Sequence, residues 1–425
     1  MVRKMKDSGI AWIGEIPADW NIQRNKLCFN CSKAIVGEKS SETQLLSLTT
    51  KGIKLKKPED STGKVPESYD TYQTVVPDDI VMCLFDLDVS AVFAGRSPYA
   101  GMISPAYKVL KCKNRIIPSF ADYWFSFVFD GRKFKHYAKN LRYTLNYDEF
   151  AVLPIAVPAV IEQTRIAAFL DAECEKIDAV IEQTRASIEE YKKLKQSVIT
   201  EAVTKGIRKN RPMKDSGIEW IGDVPLEWKM TKIKYISSDV GDGLHAAPEF
   251  KDNGLYYFIN GNNLGNKQIQ IKDNTNSVSQ EEYSKYKQPT LSSNTILIAL
   301  NGTYGLVSFY NGERIMLGKS AGYINLYPTI NRNFIRYALM ADCSKRQLDD
   351  SLAGTTIANI SLKTIKNILI TRPCEDEQRE ISLYLDCKCT EFDKFITEKT
   401  RLIAELENYK KSLIYEYVTG KKEVV

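Results

Sequence analysis

Histidine is nearly absent from this sequence: His136 and His245 are the only two in 425 residues. That scarcity removes most transition-metal sites and the commonest general base from consideration. "CFNC" at 28–31 has CxxC spacing, but no second cysteine pair or histidine cluster stands at zinc-site distance from it. The nine cysteines are an odd number strewn from Cys28 to Cys389 without a framework, so disulfides are not expected and a reducing, cytoplasmic compartment is. Long apolar runs are missing too. The longest, "AVLPIAVPAVI" at 151–161, is too short for a bilayer and holds Pro154 and Pro158. The first residues lack the charged lead, apolar region and cleavage site of a secretory signal. Strong charge of one sign is absent as well: a formal +6 permits a polyanionic partner without requiring one.

Catalytic signatures fail one after another. "GERIMLGKS" at 312–320 puts five residues between Gly312 and Gly318 where a phosphate-binding loop has four, so Lys319 and Ser320 read as a polar loop. "PEFK" at 248–251, with Asp242 upstream, imitates the acid-x-Lys pattern of a nuclease, but it sits in a Gly/Pro-rich turn. No S-adenosylmethionine glycine loop and no Pro-Pro-aromatic methyltransferase signature occurs. The chain reads as catalytically empty, with no cofactor and no metal of its own.

What is present is repetition. "MKDSGIAWIGEIPADW" at 5–20 returns as "MKDSGIEWIGDVPLEW" at 213–228, with eleven of sixteen positions identical. A second pair of blocks closes each half: "PAVIEQTRIAAFLDAECEKID" at 158–178 aligns with "PCEDEQREISLYLDCKCTEFD" at 373–393, at a constant offset of 215. Pro158, Glu162, Gln163, Asp171 and Asp178 thus match Pro373, Glu377, Gln378, Asp386 and Asp393. Repeats at this spacing dictate architecture before any single motif does.

The closing blocks read as helices of about forty residues, each roughly 60 Å long. A proline precedes each start, acidic residues fill the first turn, and apolar positions follow at helical spacing. In the first, Cys174, Ile181 and Ile188 alternate with Ile177, Thr184, Tyr191 and Val198; in the second, Cys389, Ile396 and Ile403 alternate with Phe392, Leu406 and Leu413. That three-four rhythm is a coiled-coil seam, and Thr184, Lys399, Lys195 and Lys410 interrupt it. Between the blocks, 28–157 and 236–372 resemble each other far less and carry β-like runs such as "TVVPDDIVMCLF" and "NTILIALNG". The expected class is α+β. Its parts are a first mixed α/β unit over 1–157, a spacer helix over 158–206, a second unit over 207–372 and a second spacer helix over 373–425.

These features resemble the DNA specificity subunits of type I restriction-modification systems. The residues that carry the likeness are the "MKDSGI.WIG..P..W" openings, the "GTTIANISLKTIKNILI" stretch at 354–370 with its looser partner "LRYTLNYDEFAVLPI" at 141–155, and the EQ-led helices. The resemblance implies two target recognition domains, each reading one half of a split sequence in double-stranded DNA. They would be related by pseudo-two-fold symmetry and separated by two long antiparallel helices. It also implies partners: two modification (methyltransferase) subunits, joined by ATP-dependent restriction subunits. Unlike halves in one chain imply unlike half-sites with a fixed gap.

Base readers have no sharp signature, since Arg, Lys, Asn, Ser, Thr and Tyr all serve. Polar and aromatic loops beside the β-like runs offer Lys51, Arg96, Ser97, Tyr107, Arg142 and Tyr143 in the first unit. Asn301, Thr303, Tyr304, Lys319, Thr355 and Thr356 are the corresponding choices in the second. Trp12, Trp20, Phe169 and Leu170, with Trp220, Trp228, Tyr384 and Leu385, are candidates for subunit docking; the same side chains also suit plain internal packing. Two other readings stay open: a nuclease using a carboxylate such as Glu249, and a coiled-coil scaffold whose globular units bind proteins.

Overall fold

The computed structural model describes residues 3–32, 34–57, 67–89, 93–138, 143–352 and 359–424. The chain divides into two compact units, Met1–Arg185 together with Arg401–Val425, and Ala186–Thr400. Both mix helix and sheet. No helix among the described residues is long and apolar enough to cross a membrane.

Unit 1 centres on a four-stranded antiparallel sheet in the order Phe29–Ser32, Lys108–Cys112, Ile80–Met82, Ala94–Arg96. Unit 2 has Ser237–Asp242, Ala321–Leu326, Thr295–Ala299, Val307–Phe309, again antiparallel. The two middle segments, so unlike in sequence, share one strand order. Their continuous apolar runs follow from burial on both faces of the sheet. Ile80, Met82 and Leu110 pack with Trp124 and Phe125 of the helix Pro118–Asp130, while Val81 and Val109 face Leu46, Leu48, Ile53 and Val75. In unit 2, Ile296, Ile298 and Ile324 pack with Phe334 and Ile335 of the helix Arg332–Met340, and Leu297 and Tyr323 with Ile259, Leu264 and Ile315.

Each repeated phrase is a small hairpin, Met5–Asp7 with Glu15–Pro17 and Met213–Asp215 with Asp223–Pro225, in the same register. The Asp at the end of the first strand turns the chain. Asp7 Oδ1 accepts from Gly9 N at 3.0 Å and Asp215 Oδ1 from Gly217 N at 2.9 Å, and both glycines stand at φ 72°. Only a residue without a Cβ takes that conformation cheaply, so the "DSG" spelling is required twice.

The long helices run Val160–Lys205 and Glu375–Val418, 46 and 44 residues, or about 69 and 66 Å at 1.5 Å per residue. In unit 1 the first half of one lies antiparallel to the last part of the other: Phe169 meets Tyr417 at 4.4 Å, Asp178 bonds Lys410 at 2.6 Å, and Arg185 bonds Glu407 at 2.9 Å. In unit 2 Lys195 bonds Asp393 at 2.5 Å and Tyr191 stacks on Phe395 at 5.6 Å. The offset of 215 makes Asp178–Lys410 and Asp393–Lys195 one ion pair formed twice. Cys174, Ile177, Ile181, Thr184 and Ile188 are buried along the first seam. In the second helix Phe392, Ile396, Lys399, Ile403 and Leu406 are only half-buried.

Unit 1 also gathers the last turn of the second helix against the first phrase. Gly420, at φ 70°, sits where a Cβ would strike Pro17 and Trp20, and Lys421 Nζ donates to the carbonyls of Ile13 and Glu15 at 3.2 and 3.0 Å. In unit 2 Gly206, at φ 79°, closes the first helix against Trp228 in the same manner.

Candidate nucleic-acid interface

The repeated residues assemble a frame in each unit. Trp20 is fully buried and its indole donates to Glu162 Oε2 at 2.9 Å; Trp228 is likewise buried and donates to Glu377 Oε2 at 2.8 Å. Arg3 lies 5.5 Å over the Trp20 ring and ion-pairs with Glu162 at 2.7 Å. Arg211 stands 5.5 Å over Trp228 and pairs with Glu377, which holds its guanidinium above the ordinary pKa. Loss of either partner would leave a buried carboxylate short of a hydrogen bond. The following Gln ties the helix start to its own unit: Gln163 accepts from Ile117 N at 2.9 Å, and Gln378 from Asn331 N at 3.0 Å. About two turns on, Tyr123 donates to Asp171 at 2.8 Å and Tyr337 to Asp386 at 2.7 Å.

This network places the docking candidates. Trp20, Trp228, Leu170 and Leu385 are at most 1% exposed and belong to the chain's own cores, so they present no surface to a partner. Trp12 is half-buried among Trp124, Phe127 and Phe134, its indole donating to Tyr137 Oη at 3.0 Å. Phe169 packs on Tyr417. Trp220 and Tyr384 remain open, at 40% and 37% exposure. Trp12 and Trp220 occupy one place in the phrase yet differ, because the helix facing Trp12 is aromatic whereas Trp220 has the Arg346 guanidinium 5.7 Å from its ring. Arg3, Glu162, Gln163 and Tyr123 were missed as functional positions, although the recurrent "EQ" was visible.

Of the reading candidates in unit 1, Lys51 is exposed at the tip of the hairpin Leu46–Thr49 and Gly52–Leu55, and Arg96 ends a sheet strand. Ser97 is buried and turns the backbone, donating to Tyr99 O at 2.8 Å. Tyr107 stacks on Phe85 at 6.0 Å, and burial pushes its hydroxyl pKa up. Tyr143 stands at φ 45° with Lys135 Nζ 4.3 Å from its ring. Arg96 and Ser97 lie at one end of the sheet, where Ser97 N bonds Asp79 O; Tyr107 and Tyr143 lie at the other, beside Phe85 and Leu87. Arg142 falls outside the described residues.

Unit 2 brings its candidates together. Leu300 N bonds Ser320 O at 3.0 Å, Gly261 N bonds Ser320 Oγ at 2.9 Å, and Asn301 bridges to Asn359. The turns after Ile259, Ala299 and Leu317 therefore converge at one sheet end, carrying exposed Thr303 and Lys319 and half-exposed Asn301. Tyr304 is tethered, its hydroxyl donating to Asp349 at 2.7 Å. Thr355 and Thr356 fall outside the described residues. The neighbouring His245 was overlooked: Leu244 bridges to Gly318, and the exposed His245 ring is held by Asp242 at 2.8 Å. Asp242 is thus committed to His245, and the Glu249 backbone N–H is tied to Glu282 at 3.0 Å. Among the described residues no three His, Cys, Asp or Glu side chains gather to hold a metal.

Comparison with known proteins agrees with this frame. The family described as "Type I restriction modification DNA specificity domain" matches residues 225–408. A type I restriction enzyme MjaVIII specificity subunit of Methanocaldococcus jannaschii is 27% identical over 283 residues, 65% of this chain and 63% of that relative. The putative MjaX specificity subunit of the same organism is 23% identical over 97% of this chain and 96% of its own. The chain is similar to type I specificity subunits over most of its length. Its fold is theirs as well. A structure from work on complex assembly and conformational transition of the type I R-M system aligns with a TM-score of 0.71 at 15% identity, over 96% of this chain and 99% of that one. The HsdS subunit from Thermoanaerobacter tengcongensis aligns at 0.51 and 16% identity, over 96% and 98%. The matched span of the family begins at Pro225 of this chain, and the internal repeat carries the likeness back into the first half.

Proposed function

We propose that this chain is the non-catalytic reader of a type I restriction-modification complex, selecting a split DNA target for separate methyltransferase and restriction subunits. The observation that carries the reading is one frame and one strand order used twice with different loops. A shared frame suits shared partners, and unlike loops suit unlike half-sites. The recognition domains would span 1–157 and 207–372, with the spacer helices at 158–206 and 373–425 between and after them. Exposed Lys319, Thr303 and His245 with half-exposed Asn301 in unit 2, and exposed Lys51 with half-exposed Arg96 in unit 1, are the groups suited to bases or phosphates. Trp220, Tyr384 and the half-buried middle of the second helix are the surfaces left for two modification subunits. Methylation of a base requires its extrusion from the duplex, so the reader would hold DNA while its partners react.

Methylome sequencing of a host expressing the chain with its modification subunits tests this. One methylated motif with two unlike halves and a constant gap is expected. Methylation or cleavage by the purified chain alone, or a reconstituted complex that protects no DNA in footprinting, would sink the proposal.

A further inference from the structure

Unit 1 contains a cleft of about 1620 Å³ between its globular part and its helix pair, lined by Lys51, Arg96, Asp122, Tyr123, Asp171 and Glu175 among others. The internal repeat supplies a reference for it, because Tyr123 and Tyr337 make the same bond to Asp171 and Asp386. Around that shared bond the charges differ. In unit 2 Lys267 Nζ also reaches Asp386, at 2.5 Å, from a turn laid over the strand Val307–Phe309, where Ser308 Oγ bonds Gly265 O at 2.8 Å. The residue before Tyr337 is Arg336, 2% exposed, whose guanidinium bonds Asn266. Two cations thus surround one carboxylate.

In unit 1 the residue before Tyr123 is Asp122, and its carboxylate accepts the Arg96 backbone N–H at 2.9 Å. The hairpin tip lies over Gly95 much as the Lys267 turn lies over Ser308, but no lysine among the described residues bonds Asp171. Most other cations of the cleft are engaged elsewhere: Lys410 with Asp178, Lys411 with Asp130, Arg185 with Glu182 and Glu407, and Lys133 over the Phe127 ring. Arg96 pairs with Asp78 at 3.8 Å, and its charge also acts on Asp122 without an ion pair to it. Asp122, Asp171 and Glu175 make no ion pair among the described residues. Burial, with the neighbouring Asp171 charge, holds the Asp122 carboxyl above the ordinary carboxylate range against the opposing pull of the Arg96 N–H and guanidinium, so its charge costs stability where it stands.

We propose that this cleft receives a lysine- or arginine-bearing segment of a protein partner, whose cation enters beside Asp122 and Asp171 and takes the place that Lys267 and Arg336 fill from within unit 2. The inference rests on the reading of the chain as a subunit that assembles with other proteins. It makes the two halves unequal: one open site per chain, so two copies of one partner would meet different surfaces.

Calorimetric titration of the full chain with a tetra-arginine amide tests it. One binding event per chain is expected, weakened at least about tenfold by Asp122→Asn or Asp171→Asn, whose amide oxygens still accept the Arg96 N–H or the Tyr123 hydroxyl. Asp122→Arg, copying unit 2, should abolish binding while unfolding no earlier than the wild type. Equal binding by wild type and Asp122→Arg would overturn the proposal, as would binding that emerges only in Lys51→Ala, which would make Lys51 the occupant. The same variants are then assembled with the modification subunits. Unimpaired assembly of Asp122→Arg overturns the cleft and leaves the specificity-subunit reading standing. Failure of the wild type to assemble overturns that reading, and the peptide titration still decides the cleft.

Discussion

Trp20 and Trp228 show why a phrase is spelled twice. Each indole fills a core and hands its one N–H to a carboxylate that begins a helix 142 or 149 residues later. Trp228→Phe keeps most of the ring but leaves buried Glu377 one partner short, at an expected cost of about 1–3 kcal/mol in urea unfolding. Trp20→Phe should cost a similar amount, since the geometry is the same. The tryptophans were legible as anchors from their recurrence; Glu162, Gln163 and Tyr123 were not, because a polar residue declares its role only when its partner is known. Asp122 yields a test of sign. Its pKa is raised by burial, so the folded form keeps its proton to a higher pH than the unfolded one, and stability falls as pH climbs through that interval. Asp122→Asn should therefore raise the thermal midpoint at neutral pH, and the gain should shrink as the pH falls toward the ordinary Asp value of about 4.

Helices and strands divide differently between pattern and packing. The heptad-like spacing predicted two long helices with a seam, and Cys174, Ile177, Ile181 and Ile188 do line one. Ile181→Ala is expected to cost about 2–5 kcal/mol by cavity formation. The ion pairs across the seam set register more than stability. Lys410 and Lys195 bond exposed aspartates, and Lys410→Ala or Lys195→Ala should each cost less than about 1 kcal/mol in the same denaturation assay. The sheets were less legible. Short apolar runs identify strands but not their neighbours, and the order shared by both units depends on pairings between segments far apart in the chain.

The molecule as a whole reads as one frame used twice around two different sets of loops. Lys319 projects from the converged turns of unit 2; if it reads a base, Lys319→Ala should relax sequence preference in one half of the target while leaving the other unchanged in the methylome. Lys51, on a hairpin tip, suits a phosphate, and Lys51→Ala should weaken all sequences alike and lower the salt slope of DNA binding by about 1. The repeat, the closing helices, the mixed class and the absence of catalytic signatures were all present in the order of residues, because they depend on identity and period alone. Which residues share a surface was settled by folding. Arg96 and Tyr107 part to opposite sheet ends, Asn301 and Lys319 meet, and Asp122 takes the place that Arg336 holds in the other half. The last correspondence lies inside segments too divergent to align by eye. It appears once the Gln163 and Gln378 bonds fix where each facing helix begins, since contact across a hundred residues is a property of packing and not of sequence spacing.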